Sequence, residues 1–249
     1  MPPTQSLKRL ARRLPNPIYR VLQRLHQRLA PAAAQLQPKP GPLITELAPR
    51  LAAIPGWFNL DDLAHFTLVL GTQAAAGLSG DILEIGCYHG RSAAVLALHL
   101  QQGEQLFLVD AFDLPLDEAY GDTPSPQGVW DNLQSVVPGL SRQRVHIQRA
   151  YSGDLRLPAE CRLRLAHVDG GHDAATARAD LELCLRHLLP GGVLVVDDYA
   201  HPQHPGVTEA VESLLHEHAG LRVLADLNRS GALGRKLYLS ATPAPAPAR

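Results

Sequence analysis

The chain has 249 residues, 45% of them hydrophobic, and a formal net charge of -1. That is enough apolar material for a sizeable core in one domain or two, and the near-neutral balance excludes a protein held to nucleic acid or to an acidic partner by overall charge. Three widely separated cysteines, Cys87, Cys161 and Cys184, fit neither a zinc spacing nor a disulfide framework and suit a reducing cytoplasm.

The first segment, residues 1–45, is a basic amphipathic head with a Pro/Ala linker. Lys8, Arg9, Arg12, Arg13, Arg20, Arg24, Arg28 and Lys39 all precede the first acid, Glu46. Leu7, Leu10 and Leu14, then Ile18, Val21, Leu22, Leu25 and Leu29, have helical spacing broken at Pro15 and Pro17. Such a stripe either lies on an anionic membrane surface, docks a partner, or serves as a flexible solubilising arm. No apolar run approaches a membrane span, and no continuous apolar stretch marks a secretory signal. A transit peptide would be Arg-rich like this head, but the single Ser6 weakens that reading. The expected location is cytoplasmic, with peripheral membrane contact through residues 1–29 left open.

Residues 46–240 form the expected main domain. A helical pattern runs from Glu46 to Gly77, interrupted at Pro55-Gly56. Strands and helices then alternate. Strands are expected at Asp81–Ile85, Gln105–Val109, Arg144–Gln148, Leu163–Val168, Gly191–Val196, Leu221–Ala225 and Lys236–Leu239. Helices are expected at Arg91–Leu100, Gly128–Val137, Asp173–Leu188 and Val207–His218. Alternation of this kind implies an α/β fold, a mostly parallel sheet with helices on both faces. Ligands then belong at the carboxyl ends of the strands. Residues 241–249 alternate Pro and Ala and read as a disordered tail.

The first strand closes in Glu84-Ile-Gly-Cys-Tyr-His-Gly-Arg-Ser92. Gly86 and Gly90 allow a sharp turn and close approach to a ligand, and the amides at the next helix start, with Ser92, can hold an anion. The second strand runs to Asp110, a carboxylate placed for two ribose hydroxyls. A dinucleotide site would need GxGxxG; here the glycines are four apart with Tyr88 between them. A bulky ring suits a cofactor without phosphate, whose only anion is a carboxylate. Cys87 within this turn reads as a small packing residue.

Glu-x-Gly-x-Tyr-x-Gly-x-Ser followed by an acid at the next strand end is similar to the first motif of catechol O-methyltransferase-like enzymes. That resemblance implies S-adenosylmethionine bound by Glu84, Gly86, Tyr88, Gly90, Ser92 and Asp110. Ala150-Tyr-Ser-Gly-Asp154 resembles the family's adenine-binding turn, with Tyr151 and Ser152 in the matching places.

His167-Val-Asp-Gly-Gly-His172 ends the fourth strand and Val195-Val-Asp-Asp-Tyr199 the fifth. Asp169, Asp197 and Asp198 therefore arrive at neighbouring strand ends, where like charges repel. A hard divalent cation bound by these three, magnesium on chemical grounds, is the simplest remedy. The alternative is that one or two of them cap a helix or start a turn. The wider pattern of Asp180-Leu181, Leu189-Pro-Gly-Gly, Asp-Asp-Tyr and Pro205-Gly-Val207 resembles the macrocin and cephalosporin-hydroxylase-like methyltransferases, over about Pro55 to Ser240. This implies a Rossmann-like, doubly wound, seven-stranded sheet with one antiparallel strand, and O-methyl transfer to a small molecule or sugar. Several metal-dependent relatives carry an acidic base two residues after the first metal Asp; Gly171 stands here. His172 stands where the catechol-type enzymes use a lysine, and is the expected general base.

His201 and His204 either face the acceptor or lie in a solvated loop, and His216 and His218 read as surface residues. Trp57 and Phe58 either close over the active site or cover the sheet edge. Two rivals remain: a non-catalytic scaffold of this fold in a glycan-assembly complex, and an RNA methyltransferase using the basic head. The core lacks an Asn-Pro-Pro-Tyr-type motif, and the excess of positive charge is confined to the head. Oligomeric state is open.

Overall fold

The computed structural model describes residues 44–115, 122–228 and 234–241. The basic head up to residue 43, the tail from residue 242 and part of the loop after Asp110 lie outside the described residues. The elements in order are α1 (Ile44–Ala52), α2 (Leu60–Ala75), β1 (Asp81–Ile85), α3 (Arg91–Leu98), β2 (Leu106–Asp110), α4 (Pro126–Val136), β3 (Val145–Arg149), β4 (Leu163–Val168), α5 (Ala174–His187), β5 (Leu188–Tyr199), α6 (Pro205–Glu217), β6 (Leu221–Asn228) and β7 (Arg235–Ala241). The seven strands form one sheet in the order β3-β2-β1-β4-β5-β7-β6. All pairs from β3 to β5 are parallel, while β7 runs antiparallel to both β5 and β6. This is the Rossmann-like, mostly parallel architecture expected, with its single antiparallel strand.

Successive residues on a strand face opposite sides, and that alternation divides the core in two. Ile82, Leu106, Leu108, Leu165, Val195 and Tyr238 pack on one face with α1 to α4. Leu83, Ile85, Phe107, Val109, Ala166 and Val196 pack on the other with α5 and α6. Every residue of β4 is buried, including the polar Arg164 and His167 among its apolar neighbours.

The helix starts carry identifiable caps. Asn59 and Asp62 form a capping box at α2, with Asp62 N–H donating to Asn59 Oδ1 at 3.0 Å and Asn59 N–H to Asp62 Oδ2 at 2.9 Å. Ser125 caps α4 and Pro126 takes its first turn, so that helix begins two residues before Gly128, where the sequence pattern placed it. Asp173 caps α5 through the Thr176 amide at 2.9 Å. The three cysteines are free and buried. Burial, then the charges of Asp110 and Glu84, push the Cys87 thiol up, as befits a packing residue. Among the described residues, no helix is long and apolar enough to cross a membrane.

Candidate active site

The turn after β1 is built on close backbone approach. Gly86 has φ 81, and a Cβ there would lie 1.8 Å from the Asp169 carbonyl oxygen. The Gly86 amide donates to Val109 O at 2.9 Å and the Asp169 amide to Ile85 O at 2.8 Å, which brings the ends of β1, β2 and β4 together. Tyr88 also adopts a left-handed φ, 47, a strained conformation for a non-glycine residue and one that collects at functional sites. Its amide donates to Asp110 Oδ2 at 2.7 Å, and the Phe112 amide donates to Asp110 Oδ1 at 2.8 Å. Two backbone donors thus hold the Asp110 carboxylate rigid at the end of β2. Gly90, φ 83, starts α3, and Ser92 is buried in its first turn.

The Arg91 guanidinium donates to the carbonyls of Ile54 and Phe58. It fastens the segment between α1 and α2 beside the turn. Trp57, 57% exposed, lies against the Tyr88 ring with centroids 5.3 Å apart. Phe58 is buried and does not line this mouth. Tyr151 donates its hydroxyl to Pro115 O at 2.8 Å. Ser152 hydrogen-bonds to Asp180; burial lifts that carboxyl to about 6, the serine opposes the rise and the Asp173 charge adds to it.

Glu84 stands elsewhere. Its side chain is fully buried on the α2 face, where His167 Nδ1 lies 2.7 Å from Glu84 Oε1. A polar stripe continues from there across β1, β4, β5 and β7. Lys236 Nζ donates to Asp197 Oδ2 at 2.6 Å, lies 3.3 Å from His167 Nε2 and stands 3.7 Å from Asp62 Oδ1. Phe66 and Phe58 cover the ammonium, with ring centroids at 5.2 and 5.5 Å. Burial and the Lys236 charge work against protonation of His167, but its hydrogen bonds to Asp197 and Glu84 outweigh them and raise its pKa to about 9.

The three aspartates expected to share a metal are divided. Asp169 and Asp197 fall in one group of candidate ligands with His167, and Asp198 falls in another with His172 and His204; within each group the donor atoms lie within 4.8 Å of one another. Asp169 is lifted to about 7, first by burial and then by the charge of Asp197, with Asp198 adding to it and His167 opposing. Asp198 has φ 56, and its amide donates to Asp197 Oδ1 at 2.9 Å. Its carboxylate is 3.3 Å from His172 Nε2. The His172 ring stacks on His204 at 3.7 Å, and His204 on His201 at 4.4 Å. Gly206 permits this cluster: a Cβ there would lie 2.6 Å from His172 O and from the Ala174 amide, so α6 starts directly against the turn carrying His172. His216, at the end of α6, and His218, just beyond it, take no part in this cluster.

Residues 83–199 match a family model described as a methyltransferase domain. The match runs from within β1 to the end of β5 and covers 117 of the 249 residues. A search of curated proteins finds no significant match. Among solved structures, the O-methyltransferase NovP is similar with a TM-score of 0.59 at 18% identity, over 74% of this chain and 81% of that one. An O-methyltransferase from Bacillus cereus in complex with S-adenosylhomocysteine gives 0.56 at 16%, over 85% and 96%. CalS11, a TDP-rhamnose 3′-O-methyltransferase of calicheamicin biosynthesis, gives 0.54 at 18%, over 79% and 92%. At these identities the likeness is one of fold. The candidate site also adjoins residues that sequence reasoning passed over: His167, Asp62 and above all Lys236. The signal for them was available, since each is a charged or polar residue in an otherwise apolar period, with Lys236 two residues before the buried Tyr238.

Proposed function

We propose that this methyltransferase transfers the methyl group of S-adenosylmethionine to a hydroxyl of a small molecule or sugar. The observation that carries the reading is the Asp110 carboxylate. A carboxylate offers about four acceptor positions, and the Tyr88 and Phe112 amides use one on each oxygen. Both oxygens keep acceptor capacity for a pair of ribose hydroxyls, beside a turn of Gly86, Tyr88, Gly90 and Ser92 shaped for close approach. Tyr151 and Ser152 bound the adenine side. Glu84 is instead engaged by His167, buried on the α2 face of the sheet. The Bacillus cereus relative with its bound S-adenosylhomocysteine and the sugar-modifying CalS11 support the cofactor and acceptor classes.

The bound cofactor supplies an electrophilic methyl on a sulfonium, so the chain must orient the acceptor and remove its proton. We assign proton removal to His172. Asp198, at 3.3 Å from Nε2, orients the ring for that role. Trp57 beside Tyr88 supplies an apolar wall at the mouth. A magnesium ion on Asp169, Asp197 and Asp198 does not fit: Asp197 is committed to Lys236 at 2.6 Å, and Asp198 faces His172 instead. No step is assigned to such an ion.

S-adenosylhomocysteine should raise the melting temperature of the full chain, and Asp110→Ala should remove most of that rise. Stabilisation by NADH in its place would refute the cofactor assignment.

A further inference from the structure

We propose that Lys236 is a resident cation of the acceptor crevice, standing in for a divalent metal ion and positioning the catalytic histidine through Asp197 and Asp198. The proposal rests on the reading of this crevice as the acceptor site and deepens it. Carboxylates that converge on strand ends demand positive charge nearby. Here the charge comes from β7, which lies beside β5 in antiparallel pairing, with Val196 opposite Leu237. One position along from each of these residues, Asp197 and Lys236 share the α2 face.

The pairing is built rather than incidental. Lys236 is 1% exposed, its ammonium donates to Asp197 at 2.6 Å, and two aromatic faces close over it. A charge so deeply buried is stable only when paired and hydrogen-bonded. A divalent ion on Asp197 would sit within a few ångströms of that ammonium, and like charges at that range repel strongly in a low-dielectric site. The ammonium and a metal are therefore alternatives.

The contacts also run outward to the chemistry. Asp197 Oδ2 holds Lys236, while its Oδ1 accepts from the Asp198 amide at 2.9 Å. That bond supports the left-handed turn at Asp198, φ 56, which points its carboxylate at His172. On the other side Lys236 reaches Asp62 in the α2 capping box. Lys236 is thus a positioning residue that joins the start of α2 to the end of β5.

The test uses the full chain and Mn²⁺, followed by electron paramagnetic resonance. Wild type should show no Mn²⁺ site that depends on Asp169. Lys236→Met removes the ammonium from beside Asp197 and should gain one Mn²⁺ site, about tenfold or more tighter than any in the wild type, which Asp169→Asn then abolishes. A merely structural lysine would give no such gain. Two results overturn the proposal: a wild-type Mn²⁺ site lost in Asp169→Asn, or a folded Lys236→Met protein that gains none. Should Lys236→Met fail to fold, the wild-type and Asp169→Asn titrations decide alone. Mn²⁺ binding needs no cofactor, so a failed S-adenosylhomocysteine shift would count against the proposed function and leave this test standing.

Discussion

Two identical substitutions should have opposite effects because of where they fall. Gly86→Ala places a methyl 1.8 Å from the Asp169 carbonyl oxygen, at φ 81. A left-handed conformation costs an ordinary residue about 1–2 kcal/mol, and forcing extra volume against packed backbone costs about 1–3 kcal/mol more. The sum is about 2–5 kcal/mol. For a domain of this size each kcal/mol shifts the melting temperature by about 2–4 °C, so the fall should be roughly 4–20 °C. Gly71→Ala lies within α2, where nothing stands within 4 Å of the added methyl. There the gain in helix propensity is about 1 kcal/mol, and the melting temperature should rise by about 2–4 °C. Circular dichroism melts of both variants test the pair. Because Gly86 also sets the approach of the cofactor turn to β4, its variant should lose the S-adenosylhomocysteine shift while Gly71→Ala keeps it. A Gly86→Ala protein that melts with the wild type would refute the close approach on which the site's geometry depends.

Three further expectations follow from other contacts. Arg164 and Glu104 form a buried bidentate pair, with both N–O distances 2.8 Å; Glu104→Gln strands the guanidinium and should cost about 3–5 kcal/mol in urea unfolding, and a loss well under 1 kcal/mol would show that the pair contributes little. His167 has a folded pKa of about 9 against an ordinary 6.5, so its protonation stabilises the fold fully below 6.5 and the benefit is lost as pH rises through 9. The stability gap between wild type and His167→Gln should therefore shrink between those limits, and a gap constant with pH would contradict the assignment. His172→Ala should lower turnover on the true acceptor by about a hundredfold or more with S-adenosylhomocysteine affinity unchanged, whereas a joint loss of affinity and melting temperature would mark the residue as structural.

Much of the fold was legible because its strands are short apolar runs between turn residues. Asp81–Ile85 and Leu163–Val168 stand where the pattern put them. Departures arise where pairing rather than local pattern decides. β5 begins at Leu188 instead of Gly191, because Leu188 pairs with Leu163 across a register shift before Leu165. No property of Leu188 itself announces that partner. The start of α4 was legible in principle, since a serine before a proline is a helix-start signal and Ser125-Pro126 carries it.

The site shows the same division between local and distant information. Strand ends were enough to bring Asp169, Asp197 and Asp198 into one neighbourhood, and mutual repulsion was enough to require a cation there. What strand ends do not convey is facing. Period two turns Asp197 under the sheet with Glu84 and His167, and the left-handed backbone at Asp198 turns the next carboxylate toward His172. The source of the cation was still further from view, because Lys236 lies 39 residues beyond Asp197 and reaches it only through the antiparallel entry of β7 beside β5. A cue did exist in Lys236-Leu-Tyr-Leu. A lysine in phase with Tyr238, on a strand buried by both neighbours, cannot be solvated and must have an acid within reach. Matching each in-phase polar residue to a counter-charge, strand by strand, would have named the Lys236–Asp197 pair from sequence.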